Sequence, residues 1–528
     1  MQRTFRLNNT AATFPLVSTF FGRSTLTRAP EDSNYIITNA YSGAQADRDI
    51  GIPMPLYMHN VMPTTQGLTS VGYKQVAPPT EGAFHEATIL RTSEDSRFIF
   101  CGSSGRLLDR STNEWKSAGA PIAGLTKAYL HKKTYLCNPG VGLLAFSEQS
   151  GSMYYVSLQG IDTRMLLGVT QANNYLVAYT KDTIYWSHVL NAEDMLPSLE
   201  TTAGSEIPLA IRGQIVCCLP TQDGFNIYTT ANMVAAKYSN NVRFPFVFTE
   251  IAGSGGVTEP RHVTSDSNSD TQFAWTTQGL QAIGGKDAKA VFPEITDFLT
   301  GHLFEEYIGP TGMVGYSNIS QQWSSESQSW GDWPIGENNL RQFYWNGELK
   351  KRLTLIANRW LVVSYGFANF GWALVYDQAL KRWGKLRIAH TDCFELSTTR
   401  GQVVDQEANH QLAFLQQDGR VLVANFEQRT IAEDSVLIFG RLQHTRGKVL
   451  TIHSFEVENG RPGKMDLTLL TSLDGKNWLP DKQAITQIAT ENLTKWLVRT
   501  TGINHCFKLV GTFDIVTLQG SCTVGGGR

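Results

Sequence analysis

Helical periodicity is almost missing from this chain. In its place, short runs of β-branched and aromatic residues alternate with polar or glycine-containing turns. Examples are FIFCGSSGRLLD (98–109), NYLVAYTKDTIYWSH (174–188), VCCLPTQDGFNIYTT (216–230), FAWTTQGLQAIGG (273–285) and LAFLQQDGRVLVANF (412–426). A short β-rich run answered at once by another across a tight turn is a β-hairpin. Asp223-Gly224 and Asp418-Gly419 suit the positive φ angles that such turns demand. The charge-free stretch Trp360 to Tyr376 is broken by Gly366, Asn369 and Gly371, so it reads as a further hairpin rather than a membrane span. Hairpins at this density, with no helices between them, make the fold class all-β.

Two segments carry a finer pattern. LLDRSTNEWKSAG places Asp109 before Trp115, and LVYDQALKRWGKL places Asp377 before Trp383. A strand ending in Asp, a turn, and a Trp opening the next strand is how many propeller blades are written. The Trp wedges between neighbouring blades while the Asp accepts N–H bonds from the turn. The pattern predicts a β-propeller-like body; a sandwich or barrel with ordinary hairpins is the alternative.

At 528 residues the chain has room for two to four domains, taking roughly 150 residues for each. Residues 1–60 are polar, carry Pro30, Pro53 and Pro55, and read as an extended N-terminal arm that lies on something else. Residues 61–435 form the propeller-like domain. Residues 436–528 hold five alternating runs, beginning at VLTIHSFEVE, that suffice for an independent C-terminal β-sandwich. Between 290 and 340 there is no Lys or Arg, while Glu294, Asp297, Glu305, Glu306, Glu326, Asp332 and Glu337 accompany Trp323, Trp330 and Trp333. That segment reads as an acidic, Trp-rich insertion between blades with exposed or interface tryptophans; a solvated loop whose tryptophans cap the adjacent sheet is the plainer account.

Charged residues are only 17% of the chain, and Lys+Arg 45 against Asp+Glu 47 leaves a net charge of −2. Such a balance carries no strongly basic nucleic-acid footprint. The first residues lack an apolar run behind their arginines, so no signal peptide is expected. Cys101, Cys137, Cys217, Cys218, Cys393, Cys506 and Cys522 show no metal-binding spacing and read as reduced thiols of a protein made in a cytosol. The neighbours Cys217 and Cys218 are either a redox pair or two small side chains packed on one strand.

Catalytic motifs fail one after another. His85-Glu86 opens like a zinc-protease helix, but Ile89 stands where the second His belongs. Gly460 to Lys464 lacks the first glycine of a phosphate loop, and Met465 replaces its Ser/Thr. Gly253-Ser254-Gly255-Gly256 lacks the third glycine and the βαβ setting of a dinucleotide site. Glu305-Glu306 supplies carboxyls, but glycoside hydrolysis needs two facing each other across a cleft. Ser472-Leu-Asp474-Gly475-Lys-Asn-Trp478 is one residue short of the Asp box found in sialidase-type propellers, and a hairpin explains it equally. The chain is therefore read as non-enzymatic, with no catalytic, cofactor-binding or metal residue assigned.

The residues that remain resemble a family. Trp186-Ser187, Ala203-Gly204, Ile215 to Leu219, Ile227-Tyr228, Phe244-Pro245-Phe246-Val247-Phe248 and the glycines 253–256 follow one another as in the tail nozzle, or hub, proteins of short-tailed bacteriophages. LTLLTSLDGKNW, TKWLVRTTGINHCFKLVGTF and VTLQGSC are similar to that family's closing sandwich. The resemblance spans roughly 90–528 and leaves the arm outside it. It implies a structural virion protein, assembled in the host cytoplasm and carried in the tail. Six copies would form a ring below the portal–adaptor complex, extending the DNA ejection channel and gating it. Implied partners are other copies, the adaptor, and tail fibre, spike or needle proteins. Double-stranded DNA would pass without specific binding, which suits a charge-poor wall, since each phosphate-neutralising cation adds drag.

The alternative is a carbohydrate-binding or glycoside-hydrolysing propeller acting on host surface polysaccharide, with Trp323, Trp330 and Trp333 stacking on sugars. Under the ring reading, residues 290–340 are expected to project towards the channel or tail tip. The arm 1–60 is expected to dock on a neighbouring subunit or the adaptor.

Overall fold

Consecutive hairpins assemble into four-stranded antiparallel sheets arranged as blades. The computed structural model describes residues 2–8, 50–51, 55–65, 67–82, 84–90, 98–109, 112, 114–118, 126–147, 152–265, 271–299, 350–356, 359–366, 369–397, 410–425, 435–444, 449–473, 482–490 and 492–524. Blade 1 consists of Ala87–Leu90, Phe98–Cys101, Arg106–Asp109 and Glu114–Ser117. Blade 2 runs from Thr126–Leu130 to Ser152–Val156, and blade 3 from Gly168–Ala172 through Ile184–Trp186 to Gly204–Glu206. Blade 4 consists of Ile215–Thr221, Gly224–Thr229, Met233–Tyr238 and Phe246–Glu250. Blade 5 runs from Val263–Ser265 to Asp287–Ala290, and blade 6 from Lys350–Ile356 to Arg382–His390. Blade 7 takes Asp392–Ser397, His410–Leu415 and Val421–Asn425, and its outer strand is Gly72–Ala77, which comes from the other side of blade 1 in sequence. That exchange closes the ring, and the first strand of blade 7 touches the first strand of blade 1.

Period-two alternation explains why blades stack in this way. Each strand sends successive side chains to opposite faces, and each blade therefore feeds two interfaces. In blade 3, Leu176 and Ala178 join the core shared with blade 2, while Val177 and Tyr179 join the core shared with blade 4. In blade 4, Cys218 faces blade 3 and Cys217 faces blade 5. The vicinal cysteines thus point apart, both fully enclosed, and burial pushes both thiols well up. The packing reading of that pair fits, since two thiols on opposite faces of a strand are not placed to pair with each other.

The Asp–Trp pattern falls where a propeller needs it. Asp377 ends the third strand of blade 6 and Trp383 lies on the fourth. Asp377 Oδ1 accepts bonds from the N–H groups of Ala379 (2.9 Å) and Leu380 (3.0 Å). Trp383, fully buried, packs against Tyr376 and against Phe292 from the segment that follows blade 5. In blade 1, Trp115 stacks on Phe84, and Asp109 meets Lys116 at 3.6 Å.

The C-terminal strands form a sandwich, but its boundaries differ from the expected ones. One sheet orders Asp514–Val524, Leu450–Asn459, Leu493–Gly502 and Ile485–Ala489; the other centres on Ser435–His444, Asn504–Thr512 and Lys464–Ser472. Leu450, Phe455 and Trp496 of the first face Leu467, Phe507 and Leu509 of the second. The expectation of an extended arm that lies on something else needs correcting. Gln2–Asn8 pairs with Asp514–Val524, and Ile50–Gly51 and Pro55–His59 pair with Ser435–His444, so both described parts of the arm extend the sandwich. The expectation of an independent sandwich needs correcting as well. The hairpin Val61–Pro63 and Leu68–Ser70 pairs with Lys385 of blade 6 on one side and with Asp514 and Ile515 on the other. The result is a continuous 11-stranded sheet. Sequence alternation reveals strands but not their partners, which is why these long-range pairings were not foreseen.

Of the acidic insertion, only its beginning is described: Pro293–Leu299 is a short helix that buries Ile295 and Leu299. Residues 300–349, with Trp323, Trp330, Trp333, Glu305 and Glu306, lie outside the described residues.

Candidate interaction surfaces at the channel mouth and the rim

The first strand of each blade lines the central channel, so residues just before those strands cluster at one mouth. Glu86 precedes blade 1, and Arg261 precedes blade 5. These blades are not neighbours in the ring, yet the Arg261 guanidinium is bonded to the Glu86 carboxylate. The ion pair therefore bridges the mouth. Beside it, Asp392 opens the first strand of blade 7 and is completely enclosed. Its Oδ2 accepts the Ala87 N–H at 2.6 Å; its Oδ1 accepts the Cys393 N–H at 2.6 Å and Arg352 at 2.8 Å. Asp392 thus ties blades 6, 7 and 1 together at the point of ring closure. Burial pushes its pKa up to about 6 against the opposing pull of Arg352 and the two N–H groups. The His85 imidazole is held low, by burial first and by Arg261 next. Lys351 is also held low by burial and stands 5.2 Å from the Trp275 ring centroid. Glu86 of the His85-Glu86 pair is thus part of a latch across the mouth.

The other candidate motifs resolve into structure. Gly460 to Gly463 carries the chain from Leu450–Asn459 in one sandwich sheet to Lys464–Ser472 in the other, and the Gly460 N–H donates to the Asp514 carbonyl at 2.8 Å. At Gly256 a Cβ would stand 2.0 Å from the Thr230 carbonyl oxygen, so this glycine permits a close crossing between blades 4 and 5. Ser472 ends a sandwich strand, and Asp474 to Trp478 lie outside the described residues. Among the described residues no group of three His, Cys, Asp or Glu is placed to hold a metal ion, and no helix is long and apolar enough to cross a membrane.

Of the residues that carry the family resemblance, Trp186, Ile215, Cys218, Ile227 and Phe246 build the junction of blades 3 and 4. Phe246 is its centre, with rings of Tyr175, Trp186 and Phe225 at 5.7, 6.0 and 5.1 Å in edge-to-face geometry. Such pairs add about 0.5–1.5 kcal/mol each beyond area burial. Gly204 lies flat against the Trp186 indole, where a Cβ would stand 2.6 Å from the ring. The indole N–H donates to the Thr202 carbonyl at 3.0 Å.

Around this junction the rim is apolar and open. Leu190, Leu196 and Leu199, on the loop between the last two strands of blade 3, are 82%, 53% and 92% exposed. Ile207 and Leu209, on the connection to blade 4, and Phe244 on the last turn of blade 4 are exposed too. The loop is nevertheless held in place. Val189 N–H donates to Thr202 Oγ1 (2.9 Å), Gln159 N–H to the Glu193 carbonyl (2.9 Å), and Met195 N–H to the Gln159 carbonyl (3.0 Å). Val189, Ala210, Ile211 and Phe248 from the same segments pack on the core between blades 3 and 4. Exposed apolar side chains on a fixed loop mark an interaction surface. The sequence reading missed it, since leucines set among Ser, Thr, Pro and acids show no strand or helix period there.

No protein-family model and no curated protein sequence matches the chain. Among solved structures it is similar to YCF48 from Cyanidioschyzon merolae, at 11% identity over 67% of this chain and 98% of that one, with a TM-score of 0.39. It is similar to BamB from Moraxella catarrhalis at 10% identity over 71% of this chain and 100% of that one, TM-score 0.32. For the WD40 β-propeller domain of Doa1 the values are 7%, 68%, 98% and 0.36. The propeller assignment rests on the blade order described above.

Proposed function

We propose that this chain is a non-enzymatic structural subunit of the tail nozzle or hub of a short-tailed bacteriophage. Copies stand side by side as a ring that extends and gates the DNA ejection channel below the portal–adaptor. The observation that carries this reading is the apolar rim, presented by the same blades whose residues resemble the nozzle family. A subunit built to stand in a ring needs such lateral surfaces. The propeller's own mouth is bridged by Glu86 and Arg261, so each disc serves as a wall element and the conduit lies between copies. The low charge of that wall, net −2 over 528 residues, favours passage of a duplex over binding of it.

Immunogold electron microscopy of purified particles, with an antibody raised against this chain, tests the reading. Label at the distal end of a short tail is expected; particles without label would contradict it.

A further inference from the structure

We infer that the acidic, apolar rim of blades 3 and 4 receives residues 9–30 of a second copy of this chain. The inference rests on the ring reading above and adds what one subunit offers the next.

Three observations converge on that occupant. The first is charge. Residues 188–211, which carry Leu190, Leu196, Leu199, Ile207 and Leu209, include Asp194, Glu200 and Glu206 and no Lys or Arg, beside Glu193, which is paired with Lys133 of blade 2. Residues 9–30 include Arg23 and Arg28 and no acid, among Phe14, Leu16, Val17, Phe20, Phe21 and Leu26. The two stretches are both apolar and opposite in sign, which favours their pairing and selects its partner.

The second is where the segment begins and ends. It leaves Gln2–Asn8, paired to Asp514–Val524, and the chain returns at Ile50, paired to His444. Both anchors are on the sandwich, which is tied through Val61 to blade 6 and by the succeeding strand Gly72–Ala77 to blade 7. In a seven-membered ring, blade 3 stands three places from blade 6 in one direction and three from blade 7 in the other. Donor and acceptor are thus on opposite edges of one subunit. That is the geometry of a head-to-tail contact, in which identical copies close a ring. Extended, 22 residues span at most about 75 Å, enough to cross a subunit boundary.

The third is that the acceptor is already built. The loop bonds through Thr202, Gln159 and Glu193 fix the leucines before anything docks, so little ordering is required of that side.

The test uses the full-length protein carrying a benzophenone amino acid at Phe20, mixed with isotopically heavy copies that lack it. Illumination followed by mass spectrometry is expected to join residue 20 to peptides from 187–211 of the heavy copies. Cross-links confined to one copy, or made to another surface, overturn the inference while leaving the ring reading standing. Arg23→Glu with Arg28→Glu is expected to raise the concentration at half-assembly at least tenfold, and Glu200→Arg to recover part of that loss. A loss with no recovery contradicts the charge pairing. A protein that stays monomeric at every concentration and is absent from particles overturns both the inference and the reading beneath it.

Discussion

Blades 3 and 4 and blades 5 and 6 share one architecture but use it differently. The core between blades 3 and 4 is self-contained: among the described residues, the cluster around Phe246, Tyr175, Trp186 and Phe225 draws only on these two blades and the segments joining their strands. The core between blades 5 and 6 is open at its end. Trp275, Leu280, Leu361 and Trp383 belong to one continuous cluster with Leu437, Phe455, Trp496 and Phe507 of the sandwich. One junction therefore carries an internal domain, and the other leaves its rim exposed. The comparison teaches that blade position, more than blade sequence, decides which surfaces a propeller fills from its own chain and which it offers to others.

The difference is breakable. Trp383→Ala and Trp186→Ala each remove a buried indole, at a cost of about 3–5 kcal/mol. Amide exchange should separate them: Trp383→Ala is expected to lower protection in both blade 6 and the strands 450–459 and 493–502, whereas Trp186→Ala lowers it only in blades 3 and 4. Equal loss in the sandwich from both variants would show that the cores are not organised as described.

Next in size is the latch. Asp392→Asn leaves Arg352 facing a neutral partner at the ring closure, and one-sided removal of a buried pair costs about 3–5 kcal/mol. Protease cleavage should then begin near blades 7 and 1 while the rim loop stays protected. Replacing both, Arg352→Met with Asp392→Asn, is expected to recover much of the loss.

Acid should also divide the two regions. Burial holds His505 of the sandwich down to about 4; its Nε2 faces the Leu450 carbonyl and its Nδ1 faces Thr471. An imidazole kept neutral by folding takes up its proton more readily when unfolded, so stability falls as the pH drops from about 6.5 towards 4, by roughly 3 kcal/mol in all. His390 in blade 6, also held down to about 4, acts in the same direction. Asp392, two residues on, is raised and acts in the opposite direction, gaining as the pH falls below about 6. The sandwich should therefore loosen first on mild acidification, and His505→Gln should flatten that response. A blade 6–7 junction that fails before the sandwich would reverse the assignment.

The smallest effect on stability is expected at the rim. Leu199→Ser or Leu209→Ser removes no core contact and should leave the unfolding transition within about 0.5 kcal/mol, while the assembled fraction falls. A large thermal shift would mean that these side chains are packed within the subunit.

Much of the fold was legible in the sequence because a hairpin is a local object. The runs at 98–109, 216–230, 273–285 and 412–426 and the Asp377–Trp383 pattern all fall on adjacent strands of single blades. What escaped is non-local. Nothing near Tyr73 announces that it will pair with Ala424, or near Arg3 that it will pair with Cys522. Asn60, completely buried, accepts from Tyr73, from the Arg387 N–H and from Ser435, and so joins ring and sandwich from a position read as the end of an extended arm. The rim escaped for a different reason: exposed leucines in a polar loop have no period to betray them.

The most direct test of the account is a cryo-electron microscopy reconstruction of the tail in purified particles, at a resolution that places individual blades. The account predicts a ring of this chain around the DNA axis, with Leu190, Leu199 and Leu209 buried between neighbouring copies. A tail without the chain, or a ring whose blade 3 and 4 rims face solvent, would contradict it.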